Sequence, residues 1–291
     1  MIQDQRPEAL DSPMHDQDSS DLDELIALMH QLQGLDLGLY KRGTVARRVT
    51  TRLQRLGYST YREYLTHLIS APDESRALLQ HVTIKVSHFF RTAGLFTLLG
   101  EKLLPNLLAH TRDSEGPRLW SAGCANGEEA YSLAILLEQM CAERGGEVPA
   151  ATIWATDVDQ AALDRAAHGL YPRDAFVETP LELLERYFVP RAGRLTPQYE
   201  LLPTVRERVT FSQHNLLSGS PPWNGHQPGL ILCRNVLIYL VRAAQMRLYR
   251  LLLETLAPGG YLCLGESEQL PDELQPQFHT VDRHYRIYRK L

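Results

Sequence analysis

The sequence predicts an α/β fold: a doubly wound, mostly parallel sheet preceded by a small all-α unit. Two observations lead there. After about Arg118, short strand-like runs (RLWSAG, TIWATDVD, LILCRN and GYLCLGES) alternate with long helical patterns, an order that places parallel strands between covering helices. Before that point apolar residues recur at helical spacing. The chain of 291 residues is long enough for one main core and a smaller one.

Bulk properties narrow the function. A net charge of -5 gives no general attraction to nucleic acid or anionic lipid. The longest apolar runs are broken by Arg, Asn or Pro before the roughly 18–20 residues that a membrane span needs, so no membrane insertion is expected. The opening MIQDQRPEAL has no basic start and no apolar segment, so it does not read as a secretory signal. Cys124, Cys141, Cys233 and Cys263 form no CxxC, and three of them lie in apolar segments. They read as reduced, buried thiols of a cytoplasmic protein. The 11 histidines form no HExxH or HxH pair, so no metal is expected.

Residues 1–20 are polar and aperiodic and read as a disordered acidic tail. From Ser20, Leu22, Leu25, Ile26, Met29 and Leu32 share a helix face, with Ser20 and Asp23 suited to a capping box and Gly34 to a stop. A second helix runs through Val45, Val49, Leu53 and Leu56 to Gly57. A third starts at Thr60 with Glu63 in capping position, and a fourth spans about Asp73 to Ile84. Residues 21–92 thus form a helical N-terminal domain, 93–117 a linker helix, and 118–291 the sheet domain. On the second helix Lys41, Arg48, Arg52 and Arg55 fall within roughly 60° of one another, and no acid interrupts residues 41–56. This is either a solvated face or a docking surface for an acidic partner.

Ligands of doubly wound sheets bind beyond the C-terminal strand ends, so chemistry is sought there. The first strand ends in SAGCANGEEAYSLAILL, where Gly123 and Gly127 flank a turn into a helix. The spacing is not GxGxxG, and Glu128 and Glu129 at the helix start suit a ligand bearing positive charge rather than a pyrophosphate. The second strand ends at Asp157, placed to accept bonds from ribose hydroxyls, with Asp159 available as the helix cap. An adenosine that carries a cation fits both ends, and S-adenosylmethionine is such a molecule. Pro258-Gly259-Gly260 before the last strand run is common in methyltransferase sheets and is also a generic helix stop. SPPW at Ser220–Trp223 looks like a nucleic-acid amino-methyltransferase motif, but it precedes a strand instead of following one and reads as a loop. The exit itself holds LILCRNVLIYL. Arg234 in that apolar run either projects with Asn235 into the cleft or is satisfied by local carbonyls.

Together these segments resemble the CheR family of chemotaxis receptor methyltransferases. The similarity runs from about residue 21 onward and rests on KVSHFFRTAGLF, RLWSAGCANGEEAYSLA, TIWATDVDQAAL with HGLY after it, FSQHNLL, LCRNVLIYL and GESE, in that order. It implies a Rossmann-like methyltransferase sheet with an inserted small antiparallel β-subdomain, about residues 186–211. It implies transfer from S-adenosyl-L-methionine, leaving S-adenosyl-L-homocysteine, to glutamates on the cytoplasmic methylation helices of methyl-accepting chemotaxis receptors. Some members also bind a C-terminal receptor peptide by strand addition. Carried over by motif, Lys85, Ser87, Arg91, Glu129, Asp157, Asn215, Leu216, Arg234 and Asn235 contact the cofactor or line its pocket, with Arg91 and Tyr239 at the methyl-transfer mouth. Receptor methylation regions are helical and acid-rich, which gives Arg48, Arg52 and Arg55 a partner. Lys85 stands where the family often has Asn, and Ala130 where it often has Pro. Gly193 alone supplies glycine to a loop that is richer in it among peptide-binding members. Methylation of RNA or a small metabolite, and a non-catalytic module that senses the cofactor, are the competing readings.

Overall fold

The computed structural model describes residues 16–83, 85–110, 116–143, 145, 151–192, 196–219, 221 and 227–291. Residues 1–15, Ile84, Gly193, Ser220, Pro222 and Trp223 lie outside them, and with them most of the expected disordered tail, the SPPW stretch and the glycine of the subdomain loop. The chain divides into two units between Val82 and Thr83.

The first unit is helical: α1 (Asp16–Gln33), α2 (Arg42–Arg55), α3 (Tyr61–Ser70) and α4 (Pro72–Val82), with a 3-10 turn at Leu37–Leu39. Leu22, Leu25 and Met29 of α1 and Val45, Val49 and Leu53 of α2 are buried, the stripe that a 3.6-residue period puts on one face. Thr60 and Glu63 form the expected capping box on α3. The first helix differs from expectation, because residues 16–19 are helical and not part of a disordered tail. Asp23 binds Arg42 rather than serving a cap, and Arg42 also donates to the Ser19 carbonyl and hydroxyl. That anchors the extra turn.

The basic face of α2 also needs correction. Arg52 donates from Nε and Nη2 to the two oxygens of Glu74 at 2.8 and 2.6 Å, and the Tyr64 hydroxyl donates to the same carboxylate at 2.5 Å. Arg52 is therefore committed to an ion pair within this unit, with 24% of its side chain exposed. Arg48 is half-buried and donates to the His81 carbonyl. Lys41 and Arg55 are the exposed cations of that face.

The second unit opens with α5 (Ala93–Leu98), a π turn (Leu99–Leu103) and α6 (Leu104–His110). The boundary falls ten residues before the expected one because residues 89–90 are bonded into this unit: Phe89 N–H donates to the Ala175 carbonyl and Phe90 N–H to Ser132 Oγ, both at 2.9 Å. Then come β1 (Arg118–Ala122), α7 (Glu128–Glu143), β2 (Thr152–Asp157), α8 (Gln160–His168), β3 (Leu170–Pro172), α9 (Leu181–Tyr187), β4 (Phe188–Arg191), β5 (Gln198–Leu201) and α10 (Pro203–Arg206). The chain continues through β6 (Val209–Gln213), β7 (Leu230–Cys233), α11 (Arg242–Thr255), β8 (Tyr261–Leu264), β9 (Phe278–Asp282) and β10 (Ile287–Lys290).

Seven strands form the main sheet in the order β6-β2-β1-β7-β8-β10-β9, parallel from β6 to β8, with β10 antiparallel to β8 and β9. Strand β1 is central and almost wholly buried, including Trp120. The order reverses between β1 and β7, so the cleft opens beside the carboxyl ends of these strands. A small antiparallel sheet, β3-β5-β4, stands apart. Its span differs from the expected 186–211. It recruits Leu170–Pro172 upstream, and Val209–Phe211 belongs instead to β6, the edge of the main sheet. Phe211 packs edge-on against Tyr131 of α7, ring centroids 5.4 Å apart. That contact gives the run a place in the larger core.

Candidate functional site

At the carboxyl end of the sheet, one cleft is lined by Lys85, Ser87, His88, Arg91, Glu129, Arg234 and Asn235 together with Val86, Phe96, Gly123, Cys124 and Ala125. Six residues expected to hold a cofactor thus meet in one place. They come from the segment before α5, the start of α7 and the exit of β7, and the turn after β1 adds Gly123, Cys124 and Ala125.

The floor is a glycine-bearing turn. Gly123 takes φ of +80° and Gly127 +88°, and a Cβ on Gly123 would lie 2.6 Å from Val236 Cγ2. Ala125 and Asn235, with φ of 51° and 59°, hold the left-handed conformation without being glycine, at a cost of about 1–3 kcal/mol each. Such costs persist only where the surroundings over-determine the backbone, and here they do. Ala125 N–H donates to Asp157 Oδ2 at 2.9 Å. Asn235 N–H donates to Glu268 Oε2 at 2.9 Å. Glu268, buried beyond β8, also accepts from Gly265, Leu237 and Ile238. Burial raises its carboxyl pKa, against the pull of those four amides.

Asp157 ends β2 as expected. Its Oδ1 accepts from Asp159 N–H at 3.0 Å, so each oxygen keeps one further lone pair for a hydroxyl donor. Burial raises the Asp157 carboxyl pKa, and the two amides and Lys85 oppose that rise. Asp159 caps α8 through Ala161 N–H. Lys85 sits 2.5 Å from the other Asp159 oxygen and donates to Thr83 Oγ1, which ties the cleft's first lining residue to the start of α8. Asn215 Oδ1 accepts from Leu217 N–H at 3.0 Å. Leu216 Cδ1 lies 4.0 Å from where a Gly123 Cβ would be, which sets it against the floor turn.

Arg234 has only 3% of its side chain exposed. Its Nη1 stands 3.3 Å from Glu129 Oε2 and its Nη2 donates to Thr92 Oγ1 at 2.9 Å, while Ser121 holds the other Glu129 oxygen. The guanidinium is thus paired across the cleft rather than by carbonyls of its own turn. Its Nε is buried without a partner among the described residues, and burial raises the pKa of the Glu128 carboxyl at the start of α7. Arg91 donates to the Val86 carbonyl at 2.8 Å. Tyr239, in the 3-10 turn Leu237–Tyr239, is half-buried and not among the lining residues.

This donor set fits S-adenosylmethionine. There are carboxylates for an ammonium and for ribose, a turn without side-chain bulk, and a buried guanidinium nitrogen still lacking a partner among the described residues. Sequence reasoning missed His88, Ala125 and Glu268. The first two adjoin chosen motif residues, and their proximity was the available signal. Glu268 lies within GESE, where nothing local shows that it serves the β7 exit.

Comparison with known proteins accords with this geometry. The model of the CheR methyltransferase SAM-binding domain matches residues 85–287, and that of the CheR all-alpha domain matches residues 20–83. An uncharacterized 104.1 kDa protein from the hypE 3′ region of Rhodobacter capsulatus is 37% identical over 92% of this chain, which spans only 27% of that protein. A chemotaxis protein methyltransferase of Listeria monocytogenes is 35% identical, covering 87% of this chain and 92% of its own. The chemotaxis protein methyltransferase 2 of Pseudomonas aeruginosa is 32% identical, covering 85% and 86%. With a helical unit and an S-adenosylmethionine-binding sheet unit both matched, this chain belongs to the CheR methyltransferase family.

Proposed function

We propose that the protein transfers the methyl group of S-adenosylmethionine to glutamate side chains on the cytoplasmic helices of chemoreceptors, forming methyl esters. The observation that supports this most is the convergence of Arg91, Glu129, Arg234 and Asn235 on one cleft at the strand ends. The names of the Listeria and Pseudomonas relatives supply the chemotactic setting.

The acceptor needs no base. A glutamate with a pKa near about 4.3 is already an anion at neutral pH. The bound cofactor supplies a methyl group on a sulfonium, and opposite charges cancel as the ester forms. A strong ion pair from Arg91 to the acceptor would therefore hold the ground state more than the transition state. The roles proposed for Arg91 and Tyr239 are alignment of the carboxylate and exclusion of water. Asp157 accepts from the ribose, Asn215 and Leu216 border the base, Glu129 faces the ammonium, and Lys85, Ser87, Arg234 and Asn235 hold the methionine end. Lys41, at the N-cap of α2, and Arg55 in its last turn remain as the cations that meet an acid-rich receptor helix, and the edges of the small sheet offer strand pairing to an extended receptor peptide.

The test is methyl transfer from labelled cofactor to membranes bearing receptors, compared with receptors whose methylation-site glutamates are Ala, alongside calorimetric titration of S-adenosylhomocysteine. Glutamate-dependent labelling with one-site binding supports the proposal. Binding without transfer would replace it with a non-catalytic cofactor sensor, and labelling of RNA or a small metabolite instead would overturn the receptor assignment.

A further inference from the structure

The segment that carries Arg91 is bent unusually. Phe90 and Thr92, on either side of it, both hold left-handed backbone angles, φ of 56° and 69°, and a β-branched threonine adopts these reluctantly. Something must hold the turn. Thr92 caps α5, yet its own side chain makes no cap bond, so the first amides of the helix need an outside acceptor.

Glu178 supplies it. One carboxylate oxygen accepts from Thr92 N–H at 2.8 Å and from Ala93 N–H at 3.1 Å. The other lies 2.8 Å from His88 Nε2. A single side chain thus closes both ends of the 88–93 loop, with Arg91 between them. Burial by itself would raise the Glu178 carboxyl, but His88 and the two amides outweigh it and leave its pKa below the usual value. The anchor is rigid on the other side as well. Glu178 follows the 3-10 turn Arg173–Phe176, where Phe176 stacks on Phe89 with centroids 5.1 Å apart and Ala175 accepts from Phe89 N–H. That turn continues directly from β3 of the small sheet.

We propose that Glu178 is a positioning residue for methyl transfer: by clamping His88 and the Thr92 and Ala93 amides, it fixes the loop that presents Arg91 to the acceptor carboxylate. The inference rests on the reading of Arg91 as a residue of the transfer mouth. It adds that the small sheet, through β3 and Glu178, is coupled to that residue.

The test is a double-mutant cycle in steady-state transfer to receptor membranes, using Glu178→Ala, Arg91→Ala, both together, and Glu178→Gln. Glu178→Ala should lower kcat about tenfold or more while S-adenosylhomocysteine affinity stays within about twofold. It should add little to the loss already caused by Arg91→Ala. Glu178→Gln keeps one oxygen for the two amides and should recover most of the rate. Additive losses, a parallel fall in S-adenosylhomocysteine affinity, or a Gln variant as slow as the Ala variant would each overturn the assignment. If the wild-type protein transfers nothing to receptors, the proposed function fails by itself. Hydrogen exchange then decides the clamp: the Thr92 and Ala93 amides should lose protection in Glu178→Ala and keep it in Glu178→Gln, and amides still protected in the Ala variant would overturn it.

Discussion

Two arginine–glutamate pairs, one in each unit, behave differently. In the helical unit Arg52 grips Glu74 through two bonds, and the Tyr64 hydroxyl takes up further capacity of the same carboxylate. In the sheet unit Arg234 reaches Glu129 through a single 3.3 Å approach, donates to Thr92, and keeps a buried Nε without a partner among the described residues. The first pair is closed by bonds within its own unit, and the fold uses its charge. The second is left incomplete in a cleft, where a ligand can finish it. What sets the second pair apart is its place in the cleft together with the partner its arginine still lacks among the described residues.

Perturbing the cleft should therefore damage chemistry, and perturbing the closed pair should damage stability alone. Arg91→Ala should cause the largest loss, on the order of 10²–10³-fold in transfer rate with an unchanged pH profile. A new titration near neutrality in the rate profile would show that Arg91 does more than align the acceptor. Asp157→Ala should weaken S-adenosylhomocysteine about tenfold or more in calorimetry, since two hydroxyl bonds to a charged acceptor are lost. Glu74→Ala should cost about 2 kcal/mol of unfolding free energy, because it strands the buried Tyr64 hydroxyl and the Arg52 guanidinium; S-adenosylhomocysteine binding should not change. If it did, the pair would not be purely structural.

The same pair predicts the sign of an acid effect. Burial raises the Glu74 carboxyl, but Arg52 and Tyr64 overcome that and leave its folded pKa below the unfolded value. Its contribution is thus present above the ordinary glutamate range and lost as pH falls through the lowered folded value. Denaturant titrations carried from the ordinary glutamate range down through that lowered value should show this loss in the wild type and not in Glu74→Ala. The smallest effect belongs to the exposed Arg55. Arg55→Ala should reduce transfer to receptors only two- to threefold, roughly what an exposed pair contributes, and should flatten the salt dependence of transfer while leaving cofactor affinity alone.

What the sequence disclosed follows the same division. The parallel sheet and the capping box of α3 were legible because hydrophobic period and cap chemistry are local properties. The cleft residues were legible because strand ends are where such sheets bind ligands. Arg52 misled because spacing shows that four cations share a face, yet Glu74 faces them from a helix 22 residues later in the chain. The limits of the small sheet misled because RVTF can pair either way, and only its parallel partner β2 decides. Glu178 was silent in the sequence for a related reason, since its partners lie 85 to 90 residues away.

The carboxylate of Glu268 carries a consequence for exchange between relatives. It gathers amides from Asn235, Leu237 and Ile238 on one strand exit and from Gly265 on the next. CRNVLIY and GESE are therefore one object written in two places, and a chimera that takes either segment alone inherits a mismatched half. Grafts intended to change acceptor choice should move the two together and leave the intervening helix α11 as it is.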